Sequence, residues 1–244
     1  TSHAEQLLPP SERLLAVSFA RSGDSPESLA AYEEIKRIRA DAAHLIITCN
    51  EEGQLARKGM SDSKALVLVL PEQTNDRSLA MTSSFSSMVV AALGCGFIKK
   101  TDWYTRVVES AAESAARFLS SAAADLDTVV QTGFDRACFL GSGSRRGIAT
   151  ESALKMLEMT GGQVASLSNS YLGVRHGPQS FIRDDTVVVG SVETDVHTRQ
   201  YERDLIKELM RKGQGSGILL VGPTMDLLSE LNGTSITPTA TEFA

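Results

Sequence analysis

Short, dense apolar runs alternate along the chain with stretches in which apolar residues recur every three or four positions. Residues 14–19 read LLAVSF, a run suited to a buried strand. The run leads into Ala20-Arg21-Ser22-Gly23-Asp24-Ser25-Pro26, and Ser25 before Pro26 marks a helix start, a capping hydroxyl followed by proline at the first helical position. Leu29, Tyr32, Ile35 and Ile38 then line one face of an amphipathic helix. Residues 44–49 (HLIITC) predict a second strand, residues 54–58 a short helix, and residues 65–70 (ALVLVL) a third strand that stops at Pro71. Strands that are apolar on both faces and separated by helices predict a parallel sheet.

Residues 81–98 and 102–120 both read as helices, the second running into an Ala-rich stretch of strong helix propensity. The strand–helix pattern then restarts. Residues 137–140 (ACFL) predict a strand, Gly141-Ser142-Gly143-Ser144 a turn, and residues 148–159 a helix closed by Gly161-Gly162. A weaker strand signal covers residues 164–167, followed by a strand at 186–192, a helix at 201–212 and a strand at 217–222. This predicts an α/β protein of two lobes, residues 1–120 and 130–244, with the boundary near 121–135. Three clear strands per lobe are few for a doubly wound sheet. The tail at 234–244 is polar. The chain therefore reads as a piece of a longer protein, with a compact variant as the alternative.

Composition is ordinary for a globular domain, 42% hydrophobic and 22% charged, and the formal net charge of -6 argues against a nucleic-acid partner. No run approaches the length of a membrane span and no signal peptide opens the chain, so no membrane partner and a cytoplasmic location are expected. Cys49, Cys95 and Cys138 are scattered through apolar segments with no CxxC pair, and read as buried structural thiols. His3, His44 and His197 stand apart and read as structural or surface residues; no Cys/His cluster has metal-ligand spacing.

Two loops and one helix could carry chemistry. The loop 18–25 offers hydroxyls and the free N–H groups of a helix start, which together suit an anion, and Arg21 could add a charge-assisted fork. It matches neither a Walker A loop nor GxGxxG, and an ordinary capped turn is the competing reading. The run G-S-G-S-R-R-G from Gly141 misses the dinucleotide fingerprint because Gly147 falls one place late. Glu151, Lys155 and Glu158 share a helix face, either as a solvated salt-bridge ladder or as carboxylates in a cleft. Arg175-His176-Gly177-Pro178 lies in a Gly- and Ser-rich loop. A carboxylate base with a histidine acid is the minimum kit for opening a sugar ring and moving a proton between adjacent carbons.

The stretches SFARSGDSPES (18–28), GSGSRRGIATESALKMLEMTGG (141–162) and SNSYLGVRHGPQSFI (168–182), in this order and spacing, resemble the sugar isomerase (SIS) domain family. Within it they resemble the AgaS-type ketose/aldose isomerase branch, which handles tagatose 6-phosphate or galactosamine 6-phosphate. The resemblance spans residues 14–212. It implies two flavodoxin-like lobes with parallel sheets flanked by helices, each lobe incomplete here. It also implies a sugar-phosphate partner, a homo-oligomer (dimer or tetramer), and a site formed between lobes and between subunits. By resemblance the phosphate falls to Arg21, Ser22, Gly23, Ser25, Ser28 and Ser83, the last within a Ser/Thr-rich segment. Glu158 inherits the role of general base and His176 that of ring opener. Ser18, Ser142, Glu151, Lys155 and Arg175 are expected in support. No metal or other cofactor is implied. The family's opening segment with its G-x-G-[TS]-S turn, and the section beyond the last strand, have no counterpart here.

The resulting expectation is an aldose–ketose isomerase acting on a phosphorylated hexose or amino-hexose, with release of ammonia when the substrate is a 2-amino sugar. A non-catalytic sugar-phosphate-binding regulatory module is the alternative, and a purely scaffolding fragment the third reading.

Overall fold

The computed structural model describes residues 3–8, 13–121, 123–131 and 133–222. The polar tail at 234–244 lies outside them. Nine helices and seven strands follow one another among the described residues, and the chain forms two compact units, Thr1–Val108 and Glu109–Ala244.

In the first unit a short helix α1 (Ala4–Leu7) precedes β1 (Leu15–Ala20), α2 (Pro26–Ile38), β2 (Ala43–Thr48), α3 (Gln54–Met60), β3 (Ala65–Val69) and α4 (Ser83–Gly96). The strands form a parallel sheet in the order β1-β2-β3. The period of two along β2 divides its side chains between two small cores. Ile46 joins Ala20, Tyr32 and Leu55 on the side of α2 and α3. Leu45, Ile47 and Cys49 meet Met88 of α4 on the other. α2 begins where the sequence predicts, with Ser25 accepting from the Ser28 N–H and Pro26 in the first turn.

The expectation of a buried first strand is corrected. β1 is an edge strand, and Leu15, Val17 and Phe19 are 58%, 42% and 52% exposed. Their register partners are Ala43, Leu45 and Ile47, so they stand on the α4 side of the sheet, where α4 covers β2 and leaves β1 open. Cys95 is likewise exposed rather than buried, on an outer turn of α4, while Cys49 and Cys138 are buried as expected.

The second unit takes up within α5 (Thr101–Ser121), continues through α6 (Ala123–Gln131), β4 (Arg136–Gly141), α7 (Arg145–Met159), β5 (Ala165–Asn169), α8 (Tyr171–Val174), β6 (Thr186–Ser191) and α9 (Val196–Arg211), and ends on β7 (Gly217–Val221). Its parallel sheet runs β5-β4-β6-β7, so the weak signal at 164–167 is a full fourth strand. Alternation again builds a core on each face. Cys138 and Leu140 pack with Tyr171, Val174, Leu205, Ile206 and Leu209, which places α8 and α9 on one side. Ala137 and Phe139 pack with Ala149 and Ala153, which places α7 on the other. Each fully buried leucine or isoleucine contributes about 1.5–3 kcal/mol, so α9 is firmly held. The Cys138 thiol is pushed up to about 12 by burial.

The chain thus folds as two parallel-sheet α/β regions flanked by helices, a flavodoxin-like arrangement. Among the described residues no helix is long and apolar enough to cross a membrane.

Candidate active site

The predicted phosphate residues all fall in the first unit, at the carboxyl end of its sheet. The β1–α2 loop is strapped from the β2–α3 loop. Asn50 Nδ2 donates to the Ser22 carbonyl at 2.9 Å, the Leu55 N–H to the Gly23 carbonyl at 2.9 Å, the Gln54 N–H to Asp24 Oδ1 at 2.9 Å, and Thr48 Oγ1 to the Arg21 carbonyl at 3.3 Å. Ser25 and Ser28 bond each other, Oγ to Oγ at 2.8 Å, while Ser25 Oγ also accepts from the Ser28 N–H at 3.2 Å. Ser22 is exposed, and its Oγ meets the Asp24 N–H at 3.4 Å. Ser18 lies back in β1, opposite Ile46.

Arg21 and Ser83 are joined through Asp76, a residue the sequence reading missed. Arg21 Nη1 donates to the carbonyls of Asp76 and Ser78, each at 2.9 Å. The Asp76 carboxylate accepts from the backbone N–H groups of Thr82, Ser83 and Ser84 at 2.9, 3.2 and 2.8 Å, and from Ser84 Oγ at 2.7 Å. The Ser84 bonds above all hold its carboxyl well below the usual range. The start of α4, beside Ser83, is therefore already supplied with an anion from the chain itself. Arg21 spends Nη1 on the loop that delivers that anion.

The remaining residues fall in the second unit. On α7, Lys155 Nζ lies 3.3 Å from Glu151 Oε1 and 2.5 Å from Glu158 Oε2. All three side chains are about one-fifth exposed: 19% for Lys155, 23% for Glu151 and 20% for Glu158. Burial works against the Lys155 charge, but its hydrogen bonds to Glu158 and Glu151 outweigh it and raise its pKa above the ordinary lysine value. This is a partly desolvated clasp, in which Lys155 orients two carboxylates, and it differs from a solvated ladder. Ser142 sits in the β4–α7 loop, its carbonyl accepting from the Arg145 N–H at 2.9 Å, and Arg145 pairs with Glu193 after β6.

His176 follows α8 in a turn and is exposed. Arg175 faces Glu208 of α9 at 3.2 Å. The elements carrying Glu158 and His176 lie on opposite faces of the second sheet: α7 covers the face of Ala137 and Phe139, while α8 and α9 cover that of Cys138 and Leu140. Among the described residues no three His, Cys, Asp or Glu side chains gather as a metal-binding group.

No family model matches the chain. A D-galactosamine-6-phosphate deaminase AgaS of Shewanella sp. (strain ANA-3) is 40% identical over 218 residues, covering 89% of this chain and 55% of that protein. The D-galactosamine-6-phosphate deaminase AgaS of Escherichia coli is 38% identical over 215 residues, 88% of this chain and 56% of that one. The crystal structure of tagatose-6-phosphate ketose/aldose isomerase from Escherichia coli matches with a TM-score of 0.84 at 34% identity, over 96% of this chain and 65% of that chain. The chain spans about half the length of the curated relatives it matches. Sequence and fold together show that it belongs to the sugar isomerase (SIS) domain family. Its homologues there are the AgaS galactosamine-6-phosphate deaminases and the tagatose-6-phosphate ketose/aldose isomerases.

Proposed function

We propose that this chain serves an aldose–ketose isomerase of phosphorylated hexoses or amino-hexoses, which releases ammonia when the substrate is galactosamine 6-phosphate. The observation that carries this reading is the Lys155 clasp, which holds Glu158, about one-fifth exposed, beside a cation. A binding module has no need of such a group; a general base does. The names of the relatives supply the substrate class.

The chemistry follows from the residue types. The loop 22–25 takes the phosphate through Ser22, Gly23 and Ser25, with Ser28, Arg21 and Ser83 behind them. His176 passes a proton to the ring oxygen and takes up the proton lost from the C1 hydroxyl as the bond from C1 to the ring oxygen breaks, which unmasks the C1 carbonyl and acidifies the C2 proton. Glu158 removes that proton and returns it at C1, through an enediol for a neutral sugar and an enamine for an amino sugar. The ketimine formed from the amino sugar then takes up water and loses ammonia, leaving the ketose. Lys155, itself held by Glu151, keeps Glu158 aimed.

Placement of α7 and α8 on opposite faces of one sheet supports a site that takes Glu158 from one chain and His176 from another. The protein accordingly works as a homo-oligomer, a dimer or tetramer, in the cytoplasm. The test is incubation of the full-length protein with galactosamine 6-phosphate, galactose 6-phosphate and tagatose 6-phosphate while ammonia and ketose are followed. Ketose formation supports the isomerase, and ammonia with it the deaminase. Saturable binding with no product would instead make the protein a sugar-phosphate sensor.

A further inference from the structure

The turn that carries His176 is held on both sides by a single carboxylate. Glu208, on α9, pairs through Oε2 with Arg175 Nε at 3.2 Å and accepts through Oε1 from Gln179 Nε2 at 3.1 Å. Arg175 immediately precedes His176, and Gln179 follows it by three. Between them Gly177 adopts φ +118°, a conformation open to glycine and costly to other residues. The far side is tied again, since Gln179 Nε2 reaches Gln214 Oε1 at 3.0 Å and Gln214 Nε2 donates to the Ile182 carbonyl at 3.3 Å. Lys212 Nζ lies 2.6 Å from Glu208 Oε1, so that oxygen meets two donors, while Oε2 faces Arg175 as an ion pair without a hydrogen bond. Its hydrogen bonds to Lys212 and Gln179 lower its pKa against the opposing effect of burial.

A lone surface pair of this kind would count for little. Here the two oxygens face Arg175 and Gln179, which bracket residues 176–178, and the helix that presents them is anchored by Leu205, Ile206 and Leu209 in the core. The Arg175 side chain is turned toward Glu208 of α9, and His176 is exposed in the turn between the two tied residues.

We propose that Glu208 is a positioning residue that staples Arg175 to Gln179 and thereby fixes the direction in which His176 leaves the turn. The inference rests on the reading of His176 as the ring-opening group. Glu208 itself touches no substrate; it acts through the histidine.

The experiment uses the full-length protein with Glu208→Ala, Glu208→Gln, His176→Ala and the Glu208→Ala/His176→Ala double variant, assayed on cyclic galactosamine 6-phosphate. Loss of position near 1 Å can cost on the order of a hundredfold, so Glu208→Ala should lower kcat by roughly ten- to a hundredfold and leave KM within about twofold. Glu208→Gln, which keeps an acceptor for Gln179, should recover part of the loss. In the His176→Ala background Glu208→Ala should cost nothing further, because a residue that acts through another is silent once that residue is gone. An unchanged kcat, or the same loss with and without His176, overturns the proposal. Should Glu208→Ala fail to fold, Gln179→Ala stands in for it with the same expectation. His176→Ala with normal turnover would instead remove the histidine from the chemistry. The clamp is then judged on the imidazole NMR signal of His176, which Glu208→Ala should shift or broaden; an unmoved signal overturns it.

Discussion

At Gly53 the β2–α3 loop passes so close to the β1–α2 loop that a methyl group has no room. A Cβ built there would lie 2.2 Å from the Ser22 carbonyl oxygen and 3.2 Å from its carbon, so the oxygen must retreat to at least 3.0 Å. The backbone of Gly53, at φ -63°, is one that alanine adopts freely, so the penalty is steric alone. Fewer unfolded conformations would by themselves stabilise Gly53→Ala by about 0.4–1 kcal/mol. The forced shift costs about 1–3 kcal/mol, which leaves a net effect between about zero and a loss of about 2.6 kcal/mol. The displaced carbonyl also carries the bond from Asn50. On the proposed role of Ser22 at the phosphate, moving it should cost one charge-assisted hydrogen bond, about 1.5–3 kcal/mol, and weaken sugar-phosphate binding tenfold or more. Urea unfolding and calorimetric titration with galactosamine 6-phosphate read the two effects separately. A variant more stable than the parent by about 0.4–1 kcal/mol, the gain expected with no clash, would refute the steric argument. A destabilised variant with unchanged affinity would remove the loop 22–25 from the phosphate site.

Ser22→Ala should weaken phosphosugar binding tenfold or more with little change in stability, whereas Ser25→Ala should do so and also cost about 0.5–2 kcal/mol, because Ser25 caps α2. Calorimetry alongside thermal unfolding separates the pair, and equal affinities would count against both as ligands. Glu158→Gln should abolish exchange of the C2 proton with solvent while substrate still binds; wash-in of deuterium at the normal rate would pass the role of base to another residue, Glu151 first. His44 is buried against Tyr32, with ring centroids 4.7 Å apart, and burial lowers its pKa. The folded state therefore binds fewer protons than the unfolded one below the unfolded pKa of about 6.5, and stability should fall as pH drops through that value. Urea midpoints at neutral pH and at mildly acidic pH should diverge, and a His44→Phe variant should lose that part of the divergence; an identical slope in both proteins would exclude His44 as its source.

Local chemistry was the most legible part of the sequence. Ser25-Pro26 announces α2 because a hydroxyl and a fixed φ act on their own neighbours, and the apolar runs announce the strands through burial alone. The start of α7 was placed at 148 although the helix begins at Arg145, because Gly147 lies in its first turn and reads as loop. The start of α9 was placed at 201, passing over Asp195, whose carboxylate caps Thr198. What the sequence hides is the outcome of pairing. Residues 14–19 read as buried because their composition is that of a core strand, yet strand order puts them at an edge. Asp76 gives no local signal, since the N–H groups it serves lie six to eight residues ahead. The clasp of Glu151, Lys155 and Glu158 was legible as a shared helix face, but its partial burial was not. Nor could spacing reveal that Glu158 and His176 belong to elements on opposite faces of one sheet.

That last placement makes a mixing experiment the most direct test of the account, which holds that one site draws Glu158 and His176 from different chains. Full-length His176→Ala and Glu158→Gln proteins, each strongly impaired alone, would be mixed, exchanged, and shown by tagged pull-down to form mixed oligomers. In a mixed dimer one site then has both residues intact, and ketose formation should recover to as much as about half the unaltered level on that count of sites. Activity that stays at the level of the separate variants despite proven mixing would contradict the shared site and return both residues to a single chain.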